Sequence, residues 1–69
     1  MATIKIIELI GTSTKSWEDA ANNAIKEAAE TINDITGLEV LNQTARIENG
    51  KIVEYRANVK AAFKVKTDR

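Results

Sequence analysis

The chain has 69 residues, no cysteine, no histidine, and ten basic against ten acidic side chains for a formal charge of zero. That length makes residues 1–69 one domain with a marginal core, and without cysteine neither disulfides nor thiolate metal sites supply the missing stability, which leaves self-association. The balanced charge provides no field toward nucleic acid or an anionic membrane, and the missing histidine removes the usual proton-transfer group near neutral pH and the commonest nitrogen ligand for metals.

The start of the sequence has no basic segment followed by an apolar stretch and cleavage site, and no apolar run approaches the ~20 residues needed to cross a bilayer. The expected location is therefore soluble and cytoplasmic. Ile4 to Ile10 is rich in β-branched residues and bounded by Gly11-Thr12-Ser13, which predicts a strand ending in a turn. Ser16 followed by Asp19 approximates a capping box: the hydroxyl accepts from a free backbone N–H while the carboxylate reaches back toward the cap. From there Trp17, Ala20, Ala21, Ala24, Ile25, Ala28 and Ile32 recur at three- and four-residue intervals, which predicts an amphipathic helix near residues 17 to 33. Asn33-Asp34 and Gly37 punctuate its end.

A second strand is expected from Leu38 to about Ile47. Glu48-Asn49-Gly50-Lys51 then joins it to a third, because Asn-Gly tolerates the positive φ angles of a type I′ turn. Residues 53 to 65 alternate, with Val53, Tyr55, Ala57, Val59, Ala61, Phe63 and Val65 on one side and Glu54, Arg56, Asn58, Lys60 and Lys64 on the other. The order β-α-β-β implies an α+β fold: a three-stranded antiparallel sheet with one amphipathic helix packed on it. The alternating run spans about 40 Å and the helix about 25 Å, so one helix cannot cover the strand and the remainder calls for another copy of the chain.

Nothing in the pattern resembles a catalyst. Nucleophile–base constellations need a histidine, cysteine or specially placed lysine, and Gly11, Gly37 and Gly50 are too scattered for a phosphate loop. Gly11-Thr12-Ser13 ahead of a helix start has the free N–H groups of an anion site, but a plain turn and cap is the favoured reading. Glu18-Asp19, or Glu27 with Glu30, could supply hard oxygen ligands for calcium or magnesium, but without a loop of alternating carboxylates a solvated acidic helix face is the favoured reading. Trp17, in phase with the alanine stripe, reads as core or subunit interface before ligand stacking. Lys60, Lys64, Lys66 and Arg69 make a basic stretch without interleaved surface aromatics, a weak basis for nucleic-acid binding and a means of protecting a strand edge.

The run IELIGTS, then SWEDAANNAIKEAAETIND, then a hairpin whose second strand carries EYRANVKAAFKV, resembles the dodecin family over nearly the whole chain. The resemblance implies a hollow spherical homododecamer, helices outside a curved sheet, acting by non-catalytic binding and storage of a small ligand. In flavin-binding members, riboflavin or flavin mononucleotide (FMN) is held in antiparallel pairs at twofold subunit contacts. A tryptophan opening the second strand sandwiches each ring, and a glutamine on the third strand bonds the ring edge. Those positions are Gly37, next to Leu38, and Arg56 here. Glycine supplies no π surface, and arginine donates without accepting. Trp17 does not replace the missing ring, because it lies on the helix. A second branch of the family, with a calcium-binding member, lacks that tryptophan and carries arginine at the glutamine position; Ser16-Trp17 and Arg56 look more like that branch. The resemblance therefore implies a flavin site altered at Gly37, Leu38 and Arg56, with a calcium-binding or purely structural shell as the alternative. In that alternative Arg56 pairs with Glu39 or Glu54 across the interface.

Overall fold

The computed structural model describes residues 3–65. Four elements follow one another: β1 (Thr3–Ser13), α1 (Trp17–Ala28), β2 (Ile35–Glu48) and β3 (Lys51–Val65). β3 is the central strand, antiparallel to β1 on one side and to β2 on the other. This is the α+β arrangement that the sequence pattern implies.

Alternation along β3 sorts the sheet into two faces. Ala57, Val59 and Ala61 are completely buried under the helix, while Arg56 and Lys64 are exposed on the far side. The helix contributes Ala20, Ala21, Ala24 and Ala28 to that core, with Leu9 of β1 packed against it. Small residues on both surfaces let helix and sheet approach closely, at the cost of little buried area per residue. Among the described residues, Val59 is the only large side chain that is fully buried. The core is thin, as the sequence requires.

Three boundaries differ from expectation. β1 runs on through Gly11-Thr12-Ser13, pairing as far as Ser13 with Tyr55, so these residues lie in the strand and not in a turn. The glycine serves packing: a Cβ at Gly11 would stand 2.8 Å from the Ala24 Cβ and against the Ala20 carbonyl. The helix stops at Ala28 rather than near residue 33, its end tightened by bonds from Glu30 N–H to the Glu27 carbonyl and from Thr31 N–H to the Ala28 carbonyl. Asp34 then takes a φ of 62° and turns the chain into β2, which starts at Ile35. The hairpin turn is as expected, with Asn49 and Gly50 at φ 53° and 74°.

The helix start is tied down by side chains. The Ser16 hydroxyl accepts from Asp19 N–H at 3.0 Å, the first half of the expected capping box. The Asp19 carboxylate turns to Ser13, whose hydroxyl donates to it at 2.6 Å and accepts from Lys15 N–H at 2.9 Å. Asn23 donates to the Thr12 carbonyl at 3.0 Å, which holds the helix to β1. The cap thus consumes N–H groups that an anion would need.

Trp17 crosses to the other edge of the sheet. Its indole N–H donates to the Thr44 carbonyl at 2.7 Å, and its ring meets Tyr55 edge-on with centroids 4.8 Å apart. It is half-buried and acts as a strut between helix and β2. Trp17→Phe is expected to keep the ring contact and lose the hydrogen bond, lowering stability by about 1 kcal/mol. Urea denaturation at fixed protomer concentration measures this; an unchanged midpoint would make the bond immaterial.

The molecule extends 56 × 20 × 12 Å. A 12-residue helix covers about 18 Å of that length. It packs on β1 and β3, leaving β2 largely bare. β1 ends opposite Tyr55, so the hairpin beyond Ala45 projects as two strands with neither helix nor third strand over it.

Candidate ligand face

The face of the sheet away from the helix is open. Register and alternation assign to it Ile4, Ile6, Glu8, Ile10 and Thr12 of β1, the even residues 54 to 64 of β3, and Gly37, Glu39, Asn42, Thr44 and Arg46 of β2. Ile6 and Ile10 are 62% and 66% exposed, an unusual state for isoleucine in a chain with so small a core. Among the described residues, Asn58 on this face has a buried side-chain oxygen without a hydrogen-bond partner.

Gly37 pairs with Ala62, and Arg56 lies six residues along the same strand, so the two stand about 20 Å apart on one face. Leu38 pairs with Ala61 and points to the helix side, where it is nearly half exposed. One copy therefore does not assemble the three positions into a site. Gly37 and Leu38 do share a recess of about 170 Å³ with Ile6, Glu39, Lys60 and Ala62. A wider, open cleft of about 610 Å³ lies between Thr31–Asp34 and the end of β3, and neither Gly37 nor Arg56 lines it.

Arg56 has partners within its own copy. Its Nε donates to the Glu54 carboxylate at 3.1 Å, and Arg46 Nε reaches the same oxygen at 3.5 Å while its other end pairs with Glu48. Within one copy Arg56 therefore pairs with Glu54 along the strand, and Glu39 takes no part in that pair. The sequence reading overlooked Arg46 and Glu48. Their spacing of two in a strand, like that of Glu54 and Arg56, was the available signal, since it places both charges on one face. All four side chains are partly or largely exposed, so the ladder orders the surface more than it stabilises the fold.

Of the basic stretch, Lys60 and Lys64 lie on this open face, Lys60 between Glu8 and Glu39 in register. Lys66 and Arg69 fall outside the described residues. Glu18 and Glu27 are exposed on the helix, and Glu30 is exposed in the turn after it.

The family model for dodecin matches residues 3–66. The chain belongs to the dodecin family. It is 33% identical over 66 residues to calcium dodecin of Mycobacterium tuberculosis, covering 96% of this chain and 93% of that one. Its backbone is similar to the dodecin of Streptomyces coelicolor at 25% identity and a TM-score of 0.93, over 97% and 96% of the two chains. It is also similar to the calcium-chelating calcium dodecin from M. tuberculosis at 31% identity and a TM-score of 0.82, over the same shares. Sequence thus leans toward calcium dodecin, while the backbone path follows the Streptomyces protein more closely. No helix among the described residues is long and apolar enough to cross a membrane.

Membership makes two ligands worth testing against the residues. The chain has one tryptophan, one tyrosine and one phenylalanine. Trp17 is on the helix, and Tyr55 and Phe63 alternate with Arg56 onto the helix side of β3. The open face offers no aromatic surface, so its residues do not fit a flavin held by stacking. For a divalent cation, no three carboxylates among the described residues converge within one copy. Within one copy a cation would therefore have to be completed by carbonyl or water oxygens, or else by carboxylates of another copy.

Proposed function

We propose that residues 1–69 act as one unit of a non-catalytic, self-assembled shell of twelve copies, which holds a small ligand where copies meet. The observation that carries this reading is the 20 Å separation of Gly37 and Arg56 on an exposed face: only a second copy brings these two kinds of position together. Gly37, Leu38 and Arg56 are the residues assigned to that junction. A shared divalent cation such as calcium is the favoured ligand over FMN or riboflavin. Two observations support the choice: the open face lacks a ring to stack on, and the 33% identical relative is a calcium dodecin.

Native mass spectrometry of the purified protein, with FMN and calcium titrated separately, tests this. The expected result is a multi-copy species that stays free of FMN, with a melting temperature that rises on adding calcium, because a ligand preferring the assembly stabilises it. FMN bound at submicromolar affinity would restore the flavin reading. A melting temperature indifferent to calcium would remove the cation and leave a structural shell.

A further inference from the structure

The turn of the β2–β3 hairpin joins a side-chain amide to a glycine. Of Asn22, Asn23, Asn33, Asn42, Asn49 and Asn58, Asn49 alone precedes a glycine. The neighbour matters because the backbone nitrogen that follows an asparagine can attack the side-chain amide carbon. A glycine, having no Cβ, neither crowds that attack nor restricts the backbone rotation it requires. At Gly50 nothing stands within 4 Å of where a Cβ would be, and both turn residues are exposed. Strand pairing closes at Glu48 with Lys51, which leaves the Gly50 N–H outside the ladder. The Asn49 side chain takes part in none of the side-chain hydrogen bonds among the described residues. The other asparagines are placed differently: Asn22 and Asn23 are fixed in α1, Asn42 and Asn58 in paired strands, and Asn33 precedes the side chain of Asp34.

We propose that Asn49 is a site of spontaneous covalent modification, which deamidates through Gly50 and so ages the hairpin. Hydroxide removes the Gly50 amide proton, and the nitrogen attacks Cγ of Asn49. A bond forms between that nitrogen and Cγ, the bond from Cγ to Nδ2 breaks, and Nδ2 leaves as ammonia with a proton from water. Solvent water then opens the five-membered imide. Attack at Cγ breaks the new bond and leaves aspartate; attack at the main-chain carbonyl breaks the original peptide bond and leaves isoaspartate, with the chain running through the former side chain.

The fold sets the pace of this reaction. Asn49 is held left-handed at a φ of 53°, a conformation that keeps its amide carbon away from the Gly50 nitrogen, so the turn must open before the ring can close. Opening is local. β1 ends opposite Tyr55 and the helix packs on β1 and β3, so beyond Ala45 the hairpin is a two-stranded ribbon, which is marginal by itself in water. Either product then alters the turn. Aspartate puts a second negative charge beside Glu48, and isoaspartate adds a backbone atom to a two-residue loop whose geometry fixes the register of Glu48 with Lys51 and Ile47 with Ile52. The contacts of Arg46 with Glu48 and with Glu54 on the other strand depend on that register.

The test incubates the full chain in buffers from neutral to alkaline pH and follows it by peptide mass spectrometry, with an isoaspartate-specific methyltransferase marking the second product. Asn49 is expected to convert about tenfold faster than Asn33, because only its attacking nitrogen belongs to a glycine. The rate should rise with pH, since that nitrogen must first lose its proton, and amide hydrogen exchange across residues 45–54 should quicken as product accumulates. Asn49→Gly, which suits a type I′ turn and has no side-chain amide, is expected to keep its exchange pattern through the same incubation. Conversion of Asn49 no faster than that of Asn33, or at a rate indifferent to pH, would overturn the site. Exchange that quickens equally in Asn49→Gly, or that stays constant in the fully converted chain, would overturn the effect on the hairpin.

Discussion

Gly11→Ala is expected to abolish the stable fold. The substitution adds one methyl group where β1 passes under the helix, and that carbon would sit 2.8 Å from the Ala24 Cβ and press on the Ala20 carbonyl. Neither neighbour is a flexible side-chain end: one is the root of a buried alanine, the other is helix backbone. The helix must lift, and lifting it separates Ala20, Ala21 and Ala24 from Ala57 and Val59, the centre of the small core. Overpacking of this kind costs about 3 kcal/mol or more, against a total that is small for so short a chain. The control is Gly37→Ala, whose added carbon meets only the Ala62 Cβ at an ordinary 3.8 Å. Urea titrations followed by circular dichroism, at one protomer concentration, should show the first variant unfolded or nearly so and the second close to the parent. A Gly11→Ala protein with the parent's midpoint would mean that the helix does not lie this close to the sheet.

Gly11 also marks where local reading of the sequence fails. Glycine followed by threonine and serine is turn chemistry, and nothing nearby in the chain reveals that a helix nine residues later will rest on it. The constraint is tertiary. The helix end is misread for a related reason: Ile32 stays in phase with the apolar stripe, so periodicity carries the helix past Ala28, whereas the backbone leaves it in tight turns and reverses at Asp34. Signals that depend only on neighbours succeed. Asn49-Gly50 forms the expected turn, Ser16 caps the helix, and the alternation of β3 names its buried face. Gly37 and Arg56, which the sequence names as parts of one site, share a face but stand about 20 Å apart along it within one copy, a distance that sequence position alone does not convey.

The double variant Gly37→Trp with Arg56→Gln is expected to bind FMN more tightly than the parent chain. Each change is one the fold can absorb. At Gly37 the backbone has no positive φ, and an added Cβ meets only the Ala62 Cβ, at an ordinary 3.8 Å; beyond it lies the recess lined by Ile6, Glu39, Lys60 and Ala62, into which the indole would extend. Removing the Arg56 guanidinium leaves Glu54 with Arg46, so no carboxylate is orphaned. The gain should come from the ring: stacking contributes about 1 kcal/mol or more per aromatic contact, and a flavin held between two copies gains two, or roughly thirtyfold in affinity. Glutamine adds the acceptor that arginine lacks for the ring edge. Quenching of FMN fluorescence on titration with protein reads the result directly, and Arg56→Gln alone should quench little. If the double variant assembles and still leaves FMN fluorescent, the missing ring is not what bars the flavin. The space between copies would then differ in shape from that of flavin-binding dodecins, and the cation reading would gain by it.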